Sequence, residues 1–185
     1  MKVYKFGGAS VRSAEGIRNI VSIVSRVNEP LFIVVSAMGK TTNAMEEVLE
    51  HFMKANREAA FAKLAEVEAY HAGIVLELFG DLPEGMQAMK PLFDEIKAAI
   101  TNGVGDDYDR WYDRLVSYGE LFSTKVVSAY LQKSGVDNRW LDMRGLLVTD
   151  SNFREANVKM EESQKQLRKA ADFSDAKVYI GQGFI

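Results

Sequence analysis

Met1-Lys-Val-Tyr-Lys-Phe-Gly-Gly-Ala-Ser10 opens the chain and decides how the rest is read. Val3 to Phe6 predicts a short strand: a β-branched residue and two aromatics, ended by a glycine pair. After Gly7 and Gly8, either Ser10 or Ser13 can cap a helix whose apolar positions Ile17, Ile20, Val21 and Val24 keep helical spacing. Strand, glycines and helix start form the geometry of an anion site. Glycines let backbone N–H groups turn towards a ligand with no Cβ in the way, and a helix N-terminus adds unpaired donors and positive potential. Lys5, at the end of the strand, sets a full positive charge beside that cradle. A plain tight turn is the alternative reading of the glycine pair. The stretch is not a Walker loop, since no Gly-Lys-Ser/Thr follows at the required spacing, and not a Gly-x-Gly-x-x-Gly fingerprint.

Working outward, Leu31-Phe-Ile-Val-Val35 is apolar on both faces and predicts a central parallel strand. The small-polar loop Ser36 to Asn43 and a helical run to about Lys54 repeat the strand, loop, helix plan. From about Arg57 to Lys133 the spacing is nearly all helical. Phe61, Leu64, Val67, His71, Ile74 and Leu78 mark one buried face, on which His71 reads as a core or edge histidine rather than a catalytic one. Gly80 to Gly85 predicts a turn, Met86 to Ile100 a helix, and Asn102 to Asp107 a break. A single helix is expected from Tyr108 to Leu131, apolar on two sides, with Glu120 on the second. Such a helix is buried, and a carboxylate inside it must be paired or serve a site. The alternative is a Glu120 that reaches solvent or pairs with a nearby lysine.

Asn138 to Asp142 predicts a third strand, Gly145 to Asp150 a short strand or loop, Asn157 to Ala171 an amphipathic helix, and Lys177 to Ile180 a fourth strand running on to Ile185. Strands alternating with long helical crossovers imply an α/β fold, a mainly parallel sheet with helices on both faces. The last strand reads as central, yet the sequence stops on Gly-Phe-Ile; residues 1–185 are therefore expected to be part of a longer chain.

Composition narrows the function. With 47% hydrophobic and 26% charged residues the chain is ordinary globular protein, long enough for one domain with a sizeable core. A formal net charge of −3 gives no reason to expect nucleic acid or an acidic membrane surface as partner. Without cysteine there is no disulfide, thiolate nucleophile or thiolate metal site. No apolar run approaches membrane-spanning length, and the expected location is the cytoplasm.

Five motifs occur in one order: Lys5-Phe-Gly-Gly-Ala-Ser10, Val34-Val-Ser-Ala-Met-Gly39 with Thr42-Asn43, Ser117-Tyr-Gly-Glu120, Thr149-Asp150, and Gly181-Gln-Gly-Phe-Ile185. Together they resemble the aspartokinase branch of the amino acid kinase family. The resemblance implies a three-layer αβα sandwich and ATP- and Mg²⁺-dependent phosphorylation of the L-aspartate side-chain carboxylate. By resemblance Lys5 stabilises the transferring phosphoryl group, with Phe6, Gly7, Gly8 and Ser10 around the phosphates. Ser36 and Thr42 would contact the substrate, and Glu120 would accept from its ammonium group. Phosphoryl transfer suits such a set, because the protein must mainly align the groups and neutralise charge.

Two departures stand out. Ala9 replaces the family's usual threonine, and Phe153-Arg-Glu-Ala156 sets Arg154 one residue before the position of the family's substrate-binding arginine. Arg154 is therefore either a displaced substrate ligand or a surface arginine. The resemblance further implies that residues 1–185 are the amino-acid-binding part of a kinase domain, inactive alone. The nucleotide-binding half and regulatory domains would lie elsewhere, in a homo-oligomeric aspartokinase or a bifunctional aspartokinase–homoserine dehydrogenase. No metal ligand is assigned; Asp150 reads as a loop-capping aspartate. A glutamate or acetylglutamate kinase, or a non-catalytic amino-acid-binding regulatory module, is the competing reading.

Overall fold

The computed structural model describes residues 1–81 and 83–184. Leu82, in the predicted turn, and Ile185, at the end of the last predicted strand run, lie outside them. The elements follow in order as β1 (Lys2–Phe6), α1 (Ala14–Val24), β2 (Leu31–Val35), α2 (Thr41–Met53), α3 (Arg57–Phe79), α4 (Glu84–Asn102), α5 (Tyr108–Val116), α6 (Tyr118–Lys133), β3 (Arg139–Trp140), α7 (Met160–Ala170) and β4 (Val178–Gln182). The strands form a parallel sheet in the order β1-β2-β4-β3. β2 and β4 are central, as their apolar sequences predict, and all five residues of β4 are buried.

The pleat separates two faces. Tyr4, Ile33 and Ile180 stand in register on one of them, where Leu31, Ile33 and Val35 join a single core with Ile17 and Ile20 of α1 and Leu121 and Phe122 of α6. Fully burying one such aliphatic side chain is worth about 1.5–3 kcal/mol, so this layer carries most of the driving force. The opposite face is covered over β4: the Tyr179 ring lies 5.1 Å from Phe173, its hydroxyl donates to the Asp172 carbonyl just beyond α7, and Gly181 backs onto Met143. Over β1 the same face is open, and Val3 is 59% exposed.

Two differences from the sequence reading have local causes, and one alternative it left open, the cap of α1, is decided. The helix expected over 108–131 is two helices, α5 and α6, meeting at Ser117. There the Glu120 N–H bonds back to the Ser117 carbonyl at 3.1 Å, a tightened turn that lets Gly119 approach Ala37. β3 pairs over only Arg139–Trp140, because Asp142 leaves the sheet to cap a short turn at Met143–Gly145. α1 is capped by Ser13, whose hydroxyl accepts from the Gly16 N–H, while Ser10 only closes a turn onto Gly7.

β3 is anchored by Asn138, which is fully buried. Its amide donates to the Ser128 and Val136 carbonyls at 3.1 Å each and accepts from the Ser128 hydroxyl at 2.7 Å. Asn138→Ala strands these groups and is expected to lower the unfolding free energy by about 2–3 kcal/mol. The check is urea unfolding: the midpoint should fall with an unchanged slope.

Candidate active site

The candidate residues gather at the carboxyl edge of the parallel sheet, the usual place for ligands in open α/β folds. Two loops meet there. The Ser36 N–H donates to the Phe6 carbonyl at 3.0 Å and the Gly39 N–H to the Gly8 carbonyl at 3.2 Å. A Cβ on Gly8 would stand 2.7 Å from the Ala37 carbonyl oxygen, so only glycine allows this approach. A Cβ on Gly7 would meet nothing within 4 Å. Of the pair, Gly8 joins the loops and Gly7 leaves the space for a ligand.

Both α1 and α2 start from loops at this edge, and of the two only α2 lacks a side-chain cap. Ser13 already satisfies one donor of α1, whereas α2 starts at Lys40 with no side-chain cap. Thr41 is buried, its hydroxyl bonded to the Met38 carbonyl at 2.6 Å. Thr42 is exposed, and its N–H and that of Asn43 find no partner among the described residues. Unpaired first-turn N–H groups favour anionic ligands. The sequence pointed to the helix after the glycines; the second helix could have been found from its lack of a capping residue at Lys40.

Lys5 pairs in register with Val34 and Val34 with Gly181, on the face away from α1. It is exposed and forms no ion pair among the described residues. Across Val34, Gly183 lies next to Glu120: a Cβ on Gly183 would stand 3.3 Å from Val34 Cγ1 and 3.6 Å from Glu120 Oε2. Glu120 Oε2 accepts from the Gly183 N–H at 2.7 Å and the Phe184 N–H at 2.8 Å. The carboxylate flagged by periodicity is thus paired with backbone at the end of β4, not with lysine. No hydrogen bond to Oε1 occurs among the described residues, so that oxygen stays available to a ligand.

Arg154 sits apart from this group but touches it through aromatic rings. Its guanidinium pairs with Asp109 at 3.2 Å and lies 4.5 Å over the Tyr112 ring, which is 6.2 Å from Phe184. Its backbone has φ of 65° and its N–H donates to Asp113 at 2.8 Å, so the 151–156 loop is held against α5. Tyr112 is a residue the sequence reading missed. Its hydroxyl donates to Glu46 of α2 at 2.6 Å, a bond that pushes the phenol up to about 12 and ties α2 to α5. Ser36 and Ser10 flank the meeting of the loops without side-chain hydrogen bonds among the described residues.

The fit to a nucleotide and its metal follows from these groups. The open space at Gly7, the unpaired N–H groups of α2 and the Lys5 ammonium suit phosphate oxygens. Among the described residues no cluster of three His, Cys, Asp or Glu could hold a metal. Asp150 spends both oxygens on the Asn152 N–H and on the Asn157 N–H and side-chain amide, which hold its carboxyl below the usual range. It caps a loop. A Mg²⁺ ion carried by substrate phosphates needs no such cage.

Comparison with known proteins bears on the family and the fold. The chain is 31% identical over 192 residues to the bifunctional aspartokinase/homoserine dehydrogenase 1 of Arabidopsis thaliana, covering 99% of this chain and 21% of that protein. It is 28% identical over 190 residues to the aspartokinase of Chlamydia pneumoniae, covering 99% and 38%. The fold matches aspartokinase III of E. coli, solved with aspartate and ADP, with a TM-score of 0.83 and 25% identity over 99% of this chain and 40% of that one. The chain therefore spans about a fifth to two fifths of the length of these relatives. The amino acid kinase family model matches residues 1–185, and the chain belongs to that family.

Proposed function

We propose that residues 1–185 form the amino-acid-binding part of a kinase that transfers the γ-phosphoryl group of ATP to the side-chain carboxylate of L-aspartate, giving 4-phospho-L-aspartate. The observation that carries this reading is the placement of Lys5 beside Val34 on one side and of Glu120, through Gly183, on the other. A cation for the transferring group and a carboxylate for an ammonium group on one sheet edge suit an amino acid acceptor. The likeness to aspartokinases supports aspartate over other acceptors.

On this reading Glu120 Oε1 accepts from the substrate ammonium, while Oε2 keeps the carboxylate fixed to the β4 end. Ser36 and Thr42 contact the substrate, and Lys5 faces the acceptor oxygen and γ-phosphate. Bound ATP–Mg²⁺ supplies the phosphoryl group and offsets its charge; the chain aligns the acceptor. Arg154 would reach the substrate only after leaving Asp109. The cytoplasmic location and homo-oligomeric longer protein expected from the sequence belong to this proposal.

Titration calorimetry tests it. L-Aspartate should bind in preference to L-glutamate, and ADP release from this chain with aspartate and ATP should not exceed that of Lys5→Ala, since the chain covers only part of its relatives. Preference for glutamate would move the assignment to another amino acid kinase. Turnover above the Lys5→Ala control would show that these residues carry a whole active site.

A further inference from the structure

A cavity of about 440 Å³ opens between α5, the start of α6 and the 144–156 segment, and none of the residues considered above as catalytic or substrate-binding lines it. Arg110, Arg114 and Arg144 line it, with Ser117, Thr149 and Asp150. Its acidic groups are already engaged. Asp113 takes the Arg154 N–H, and Asp150 takes Asn152 and Asn157. Arg144 is held in a fork by Asp142.

Arg110 and Arg114 carry no ion pair among the described residues. They stand four residues apart on one face of α5, an arrangement of like charges that costs stability in the empty chain. Arg114 is further fixed over the Trp111 ring at 4.8 Å. Ser117 supplies an independent sign of a ligand: it is 1% exposed, lines the cavity, and leaves α6 without a side-chain cap. Its hydroxyl has no hydrogen-bond partner among the described residues. The hydroxyl is open to the cavity and free to donate to an anion there.

We propose that this cavity is an anion site, taking a small molecule with phosphate or carboxylate oxygens between the Arg110 and Arg114 guanidinium groups and the Ser117 hydroxyl. Guanidinium forks match the oxygens of both groups. Because Thr149 and Asp150 form one wall, an anion bound there fixes the loop that carries Arg154 against α5. The site is separate from the phosphate cradle beside Lys5.

The experiment is calorimetry of the chain at low ionic strength, with inorganic phosphate in one arm and succinate in the other. The expected result is, for at least one probe, a site that depends on Arg110 and Arg114, and the probe bound more tightly there names the ligand class. Affinity should fall about tenfold or more in Arg110→Gln/Arg114→Gln and stay within about twofold in Lys5→Ala. Arg110→Lys/Arg114→Lys, which keeps charge but not the fork, should fall between. A folded chain, judged by circular dichroism, that binds neither probe overturns the proposal. So does binding that survives the double glutamine variant, or that disappears with Lys5→Ala.

Discussion

Glu120→Ala is expected to lower the unfolding free energy by about 2–3 kcal/mol, and Glu120→Gln by less than about 1 kcal/mol. Alanine leaves the Gly183 and Phe184 N–H groups without their acceptor at the end of β4. Glutamine keeps an oxygen in the same place and loses only the charge on it. Aspartate affinity should order the variants differently: both should lose at least about tenfold, or 1.4 kcal/mol, because the ammonium group needs a charged acceptor. The discriminating measurement is urea unfolding beside an aspartate titration of Glu120→Gln. A variant that is nearly as stable as the parent and has lost aspartate assigns Oε1 to the ligand. A variant that binds aspartate normally leaves Glu120 as a structural tie alone.

Glu120 also shows what sequence could and could not reveal. Its place on the second apolar face of a buried helix is a matter of spacing within one segment, and spacing is visible. Its partners, Gly183 and Phe184, stand more than 60 positions away, and no periodicity links them. The same limit hid Tyr112, whose bonds run to Glu46 on α2 and to the rings and guanidinium around Phe184 and Arg154. The central strands were legible because β2 and β4 are apolar where the sheet is covered, and so were the helical stretches with a single buried face. The junction at Ser117 was not. Ser117 has helical φ and ψ of −57° and −25°, so the chain there changes only its hydrogen-bond pattern, beside the close approach of Gly119 to Ala37.

Gly7 and Gly8 mark a different boundary. The motif was visible, but the division of labour within it was not. Gly8 is required by a carbonyl from the second loop, a contact between segments about 30 residues apart, and the free helix end belongs to that second loop too. The loop read from one segment is here built jointly by two. Arg154 repeats the lesson, since its alternatives as ligand or surface residue differ only in whether Asp109 holds it.

Acidification from pH 7.5 to pH 5 should cost the folded chain about 2 kcal/mol through His71 alone. The imidazole is fully buried, with Nδ1 2.7 Å from the Val67 carbonyl; that nitrogen must carry the hydrogen, and Nε2 is left without a partner. The rings of Tyr70, Phe93 and Phe122 surround it at 5.2, 6.5 and 5.1 Å, offering nothing that could stabilise a cation comparably to water. Burial accordingly pushes the histidine down to about 4. The unfolded chain takes up its proton near pH 6.5, so between the two values the unfolded state binds more protons and stability falls with pH. The contribution is complete above about pH 6.5, falls through the window, and levels off below pH 4 after a total of about 3 kcal/mol. His71→Phe replaces the ring with one that can stack on Phe93 and Phe122, and the Val67 carbonyl keeps its helical N–H partner. Urea unfolding of both proteins at pH 7.5 and pH 5 isolates the effect, because every carboxylate and His51 is common to the two. The pH-induced loss should be smaller in His71→Phe by about 2 kcal/mol; equal losses would mean that His71 is charged or solvated in the folded chain.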